Sequence, residues 1–240
     1  MPKKQIGKGI ALFLALSLFE FCQPAAHTNE NEKGPAASGP DTTSLHLASS
    51  GQLDDVIGLN ERWVGGLEGM IARRRIRALV PYSPTSYYIN GTERSGIAYE
   101  AMSHFEQELN QKMGQKQKIN IVFIPLSRDQ LIPALLEGYG DIVVAGLTIT
   151  PGRQKLVDFS LPVLTGAREV LVSGPGVTEV EGFETLLKYP VYVRRSSSFY
   201  EHLLAINDSL RHAGMPQTNI RLVEEQLEDE DILEMVNAGL

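Results

Sequence analysis

Apolar residues along this chain change their period several times, and each change marks an element. Between Gly96 and Gly114, Ala98, Met102, Phe105, Leu109 and Met113 recur every three or four residues, the spacing of an amphipathic helix. IRALV (76–80), KINIVFIP (118–125) and DIVVA (141–145) are short runs, apolar on both faces, which predicts buried strands. PYSPTSYYING (81–91) reads as a loop carrying aromatics. Ser127 followed by Gln130 has the spacing of a capping box, and Gly138 and Gly140 close the helix it would open. Pro133 cannot donate to that helix, which moves the expected start toward Gln130. REVLV (168–172) predicts a fourth strand. After a Gly/Pro break at Ser173–Gly176 the rhythm restarts: FETLLK as a short helix, VYVR as a strand, a serine loop and helix from Ser196, NIRLV as a strand, and DEDILEMVNAG as a closing helix with acids in its first turn.

Strands apolar on both faces and separated by helices predict an α/β fold with parallel sheets covered on each side. The break and restart divide it into two lobes, residues 76–172 and 173–240. Upstream, Trp63, Leu67, Met70 and Ile71 fall at helical spacing within an N-terminal helical segment, 53–75, that ends in Arg73, Arg74 and Arg75. Cations suit that end of a helix dipole. Residues 27–52 are rich in Asn, Glu, Gly, Pro, Ser and Thr and read as a flexible linker. Residues 1–26 read as a signal peptide, with Lys3, Lys4 and Lys8 before the apolar run Ile10–Phe21, a run too short to span a membrane. Cys22 is the only cysteine, so no intrachain disulfide can form. It fits either a lipidated mature end or a residue discarded with the leader. The expected location is the periplasm, with or without a lipid anchor.

A net charge of −7 gives no support for nucleic-acid binding, which shows as a basic face. The chemistry instead gathers where strands hand over to helices. In an open parallel sheet, ligands sit beyond the carboxyl ends of the strands, so the loop after DIVVA is a candidate site. Gly146 allows close backbone approach. Thr148 offers a hydroxyl, Thr150 fits a helix N-cap, and Pro151 fits the first helical position. Arg153 then lies at the third helical position, where the dipole disfavours a cation. A threonine hydroxyl, a guanidinium and free backbone N–H groups together suit a carboxylate or phosphate. The plainer alternative is a surface pair of Arg153 with Asp158.

The loop Ser196–Ser198 has the same character. One of its serines is expected to cap the next helix, while Ser197 and Ser198 would face the first loop across a cleft. Tyr82, Tyr87 and Tyr88 could wall such a cleft or pack in the core. His104, His202 and His212 all fall on helices. The sequence has no HExxH, P-loop, nucleophile elbow or Cys/His cluster, so neither catalysis, a metal nor a cofactor is expected.

The stretch LIPALLEGYGDIVVAGLTITPGRQKLVDFSLPVLTG resembles the signature of bacterial family 3 extracellular solute-binding proteins. That resemblance implies a two-lobed, periplasmic binding protein-like (type II) α/β fold that closes on an amino acid-like ligand for uptake through an ABC permease. It implies that Arg153 holds the ligand carboxylate beside Thr148 and Gly146, with Ser197 and Ser198 opposite. It also implies a further strand after Leu240, so that the second lobe here is incomplete. INGTERSGIAYE, IPLSRDQLIPAL, YVRRSSSFYEHLLAIN and LEDEDILEMVNAGL resemble the solute-binding-like module of membrane-bound lytic murein transglycosylases. That second resemblance implies a regulatory module fused to a lytic domain outside this chain, with a muropeptide-like ligand. Pro81-Tyr82-Ser83 departs from amino-acid binders, which carry an acid in this loop.

Overall fold

The computed structural model describes residues 61–114, 118–177 and 186–240. The signal peptide, Cys22, the linker, residues 53–60 and the first half of the short helix expected at 183–188 lie outside the described residues.

Chain entry is held by charge and ring chemistry. Helix α1 (Leu67–Arg73) is followed by Arg74 in the left-handed region at φ 55°, which turns the chain into strand β1 (Arg75–Val80). The arginine cluster is thereby split. Arg73 stays in the last helical turn and lies over the Trp63 ring at 3.7 Å, while Arg75 starts the strand. β1 is buried from Ile76 onward because it is the central strand, flanked by β4 (Asn120–Pro125) and β5 (Ile142–Val143), both parallel to it. Ile76 pairs with Ile121 and Ala78 with Ile142. β5 is only two residues long, against the five expected. Asp141 before it turns its carboxylate to Arg77, and the Ala145 carbonyl after it is taken by Arg128.

Helix α2 (Ile97–Lys112) lays Ala98 and Met102 against this sheet, whose core includes Ile76, Ala78, Ile119 and Ile121. Phe105, expected on the core face, is 42% exposed on the flank. The aromatic loop is more ordered than the sequence suggests: Tyr88–Asn90 (β2) and Glu93–Ser95 (β3) form a hairpin turned at Gly91, φ 62°. Helix α3 (Arg128–Leu136) starts earlier than Pro133 suggested. The proline sits inside the helix, past its midpoint, and Ser127 stands at the N-cap position without a side-chain capping bond. The expected strand at 168–172 does not form. Val170 is 81% exposed and, among the described residues, no strand lies beside it to complete a ladder.

In the second lobe, β6 (Val191–Arg194) and β7 (Ile220–Val223) pair in parallel, with Val193 opposite Leu222. Helix α5 (Ser198–His212) buries Leu203 and Leu210, and helix α6 (Asp229–Ala238) closes the described chain. Both lobes fasten the return from helix to strand in the same way. The Asn110 side chain donates to the Ile119 carbonyl and accepts from its N–H, each at 2.8 Å. Asn207 does the same with Thr218, at 3.1 and 2.7 Å.

Candidate functional site

Parallel strands end on one side, so the loops after β1, β4 and β5 emerge together, as do those after β6 and β7. Side chains from these two groups of loops meet. At the centre is Arg153, in a short helix α4 (Pro151–Gln154) whose N-cap Thr150 accepts from the Arg153 N–H at 3.3 Å. The Arg153 side chain is drawn inward, leaving the residue 8% exposed. Its Nη1 donates to the Thr148 carbonyl at 3.0 Å and its Nη2 to the Ser196 carbonyl of the other lobe at 2.8 Å. Its Nε lies 3.6 Å from the Glu201 carboxylate. These groups, rather than Asp158, surround the guanidinium.

The other residues singled out by sequence divide into those near Arg153 and those away from it. Ser198 donates to the Thr148 hydroxyl at 3.0 Å, joining the two loops across the lobes. Ser197 is the N-cap of α5, accepting from Tyr200 N–H at 3.2 Å and donating to the Arg194 carbonyl at 2.8 Å. Its hydroxyl is therefore used locally. Gly146 adopts φ 56°, and a Cβ there would meet nothing within 4 Å, so conformation rather than crowding favours glycine. Tyr82 is 55% exposed. Tyr87 is not brought to the cleft: it is 3% exposed and stacks on Phe123, ring centroids 5.1 Å apart. Burial pushes its hydroxyl pKa up. His202 pairs with Glu169 at 2.7 Å on the surface. Among the described residues, no group of three or more His, Cys, Asp or Glu side chains could hold a metal ion.

Sequence reasoning missed several groups that bridge the lobes. Arg128 Nε donates to the Glu228 carboxylate at 2.6 Å, and the Glu228 side chain is only 4% exposed. Glu230 accepts from Ser83 at 3.4 Å and from the Thr85 hydroxyl. Burial pushes the Glu230 carboxyl up, but hydrogen bonds from Thr85, its own backbone N–H and Ser83, with the Arg128 charge, outweigh this and hold it below the usual glutamate value. Glu225 anchors the serine loop, accepting from Ser196 N–H at 3.2 Å and from its hydroxyl at 2.5 Å. The local signal for Glu228 and Glu230 was a favourable helix N-terminus, and their cross-lobe partners left no trace nearby in sequence, whereas Glu225 acts within its own lobe.

The family model for bacterial extracellular solute-binding proteins, family 3, matches residues 75–240. The chain belongs to this family. Its fold is the two-lobed type II periplasmic binding protein fold, as the family model and solved structures agree. The crystal structure of the ancestral amino acid-binding protein AncCDT-1, a precursor of cyclohexadienyl dehydratase, superposes with a TM-score of 0.54 at 24% identity, over 72% of this chain and 70% of that one. A solute receptor for L-cysteine from Neisseria gonorrhoeae gives 0.50 at 14% identity, over 73% and 65%. Among curated relatives, a membrane-bound lytic murein transglycosylase F from Shewanella pealeana is 32% identical over 162 residues, which is 66% of this family 3 chain and 30% of the relative. A probable histidine-binding protein from Neisseria gonorrhoeae is 31% identical over 126 residues, or 52% and 46%. The chain thus spans less than half the length of these two curated relatives.

Proposed function

We propose that this chain is an exported solute-binding module that captures a small, carboxylate-bearing, amino acid-like ligand between its lobes. The observation that carries this reading is Arg153: a buried guanidinium from one lobe that reaches the backbone of the other. A ligand carboxylate would take the place of the Ser196 carbonyl and of Glu201 on that fork, a charge-assisted exchange that binds ligand and lobes together. The Thr148 and Ser198 hydroxyls and the Gly146 backbone would line the same space, with Tyr82 at its rim and Ser197 shaping the loop opposite. The names of the Neisseria relative and of the fold neighbours, each tied to an amino acid, support this ligand class.

A thermal-shift screen of L-amino acids and muropeptides tests the reading, because a ligand that binds only the folded chain raises its midpoint in proportion to the logarithm of concentration over Kd. Calorimetry on the compound returned should then show Arg153→Ala weakening binding by roughly 10- to 100-fold, the worth of a charged hydrogen bond. Unchanged affinity would remove Arg153 from the site.

The transglycosylase relative favours a second reading, in which the module regulates a lytic domain of the full-length protein instead of serving an ABC permease. Stabilisation by muropeptides but not by free amino acids would select it. Metabolic labelling with palmitate, compared with Cys22→Ser, separates a lipid anchor from a discarded leader.

A further inference from the structure

We infer that Arg128 is a positioning residue for the Gly146–Thr150 loop, and that Glu228 grips it from the opposite lobe so that loop shape and lobe closure are set together. The assignment of that loop as a binding loop rests on the reading above.

The geometry is a single guanidinium used on two edges. Arg128 Nη1 donates to the Ala145 carbonyl at 2.9 Å, while its Nε donates to Glu228 at 2.6 Å. Ala145 immediately precedes Gly146, where the backbone turns at φ 56°. The peptide unit between them is planar, so a carbonyl held in one direction fixes the Gly146 N–H in the opposite one. Arg128 therefore aims a backbone donor without touching the space that the donor faces. The planar fork makes this possible, because a point-charge ammonium cannot serve both acceptors in fixed directions.

Glu228 is the N-cap of α6, where its N–H donates to Asp231 at 2.8 Å. Its carboxylate is buried and meets the partly buried Arg128. Separating the lobes would leave that carboxylate without its cation, and breaking one side of such a pair is costly. Two residues on, Glu230 reaches Ser83 and Thr85 of the loop after β1, so the start of α6 touches that loop and the first residue of α3 at once. Contacts near Arg153 and contacts at Arg128 thus grip the same loop at its middle, Thr148, and at the residue before it, Ala145.

The test uses the ligand-free chain, so it stands apart from the identity of any solute. Backbone 15N relaxation reports the loop, and energy transfer between dyes on Lys112→Cys and Arg211→Cys, in a Cys22→Ser background, reports closure. Glu228→Gln and Arg128→Gln should each lower the Gly146 order parameter from about 0.85 to below about 0.6 and widen the dye separation. Arg128→Lys should restore the dye separation, since the charge remains beside Glu228, while Gly146 stays mobile. Loss of order confined to α6 would show Glu228 to be a helix cap alone and overturn the inference, as would an unchanged Gly146 in both glutamine variants or a fully rigid loop in Arg128→Lys. If no amino acid or muropeptide binds the parent chain, the solute-binding reading fails while this loop result is unaffected.

Discussion

Two arginines show how differently one side chain type can be used. Arg77 is wholly buried, and so is the side chain of its partner Asp141, at 2.9 Å. It also donates to the carbonyls of Glu61, Trp63 and Gly138 at 2.6, 3.1 and 2.8 Å, tying the entering chain to the end of the sheet away from the site. In sequence it passed as one polar position inside an apolar strand. Asp141→Asn would leave that guanidinium buried without a counter-charge, and should lower stability by about 3–5 kcal/mol in urea unfolding. Arg153, by contrast, was visible in sequence because it stands where a helix dipole disfavours it. Arg153→Ala should cost well under half as much stability as Asp141→Asn, since its protein partners are two carbonyls and a half-exposed Glu201. Gly96 is a third position where one atom decides. It adopts φ 115°, and a Cβ there would lie 2.3 Å from the Ser86 carbonyl oxygen. Gly96→Ala should therefore lower the thermal midpoint, at a cost of about 1–3 kcal/mol.

Among the elements, helix and strand order was legible wherever near neighbours settle it. The Thr150–Pro151–Arg153 opening of α4 formed as read, because a cap and a helix-ready proline act within one turn. The strand expected at 168–172 failed because a strand is stabilised by its neighbours, and β propensity alone supplies none. The β2–β3 hairpin was missed because its turn, at Gly91, lies within a stretch whose aromatics read as loop. At α6 the pH response has a definite sign. Glu230 has its pKa lowered in the folded chain, so its contribution is fully present above the ordinary glutamate range and is lost as pH falls through that range toward the lower folded value. Acid should then loosen the contact of α6 with Ser83 and Thr85, beside the Arg128 charge. Dye separation measured from about pH 7 to about pH 3 should rise, and Glu230→Gln should flatten that slope.

At the scale of the molecule, the two small parallel sheets among the described residues are built by one plan and fastened unequally. Among the described residues, the first lobe has a three-stranded sheet over two buried clusters that both pack on Phe123 and Val144, whereas the second-lobe sheet has two strands and buries Val193, Leu203 and Leu210. Amide exchange should therefore be slower in β1 than in β6 by an order of magnitude or more; equal protection would mean that the lobes unfold as one unit. The paired clamps at Asn110 and Asn207 were not legible as a repeat, since the residues around them differ and only the geometry coincides. What the sequence by itself determined is the alternation of strand and helix, the parallel α/β class and the strand-to-helix turn that carries Arg153. These depend on periodicity and on interactions within a few residues. Only the tertiary structure decided that Tyr87 packs on Phe123 instead of facing the cleft, that Arg153 reaches Ser196, and that Arg128 meets Glu228 100 residues away. Those outcomes follow from how parallel strands bring remote loops to one end, and no local pattern of residues encodes that meeting.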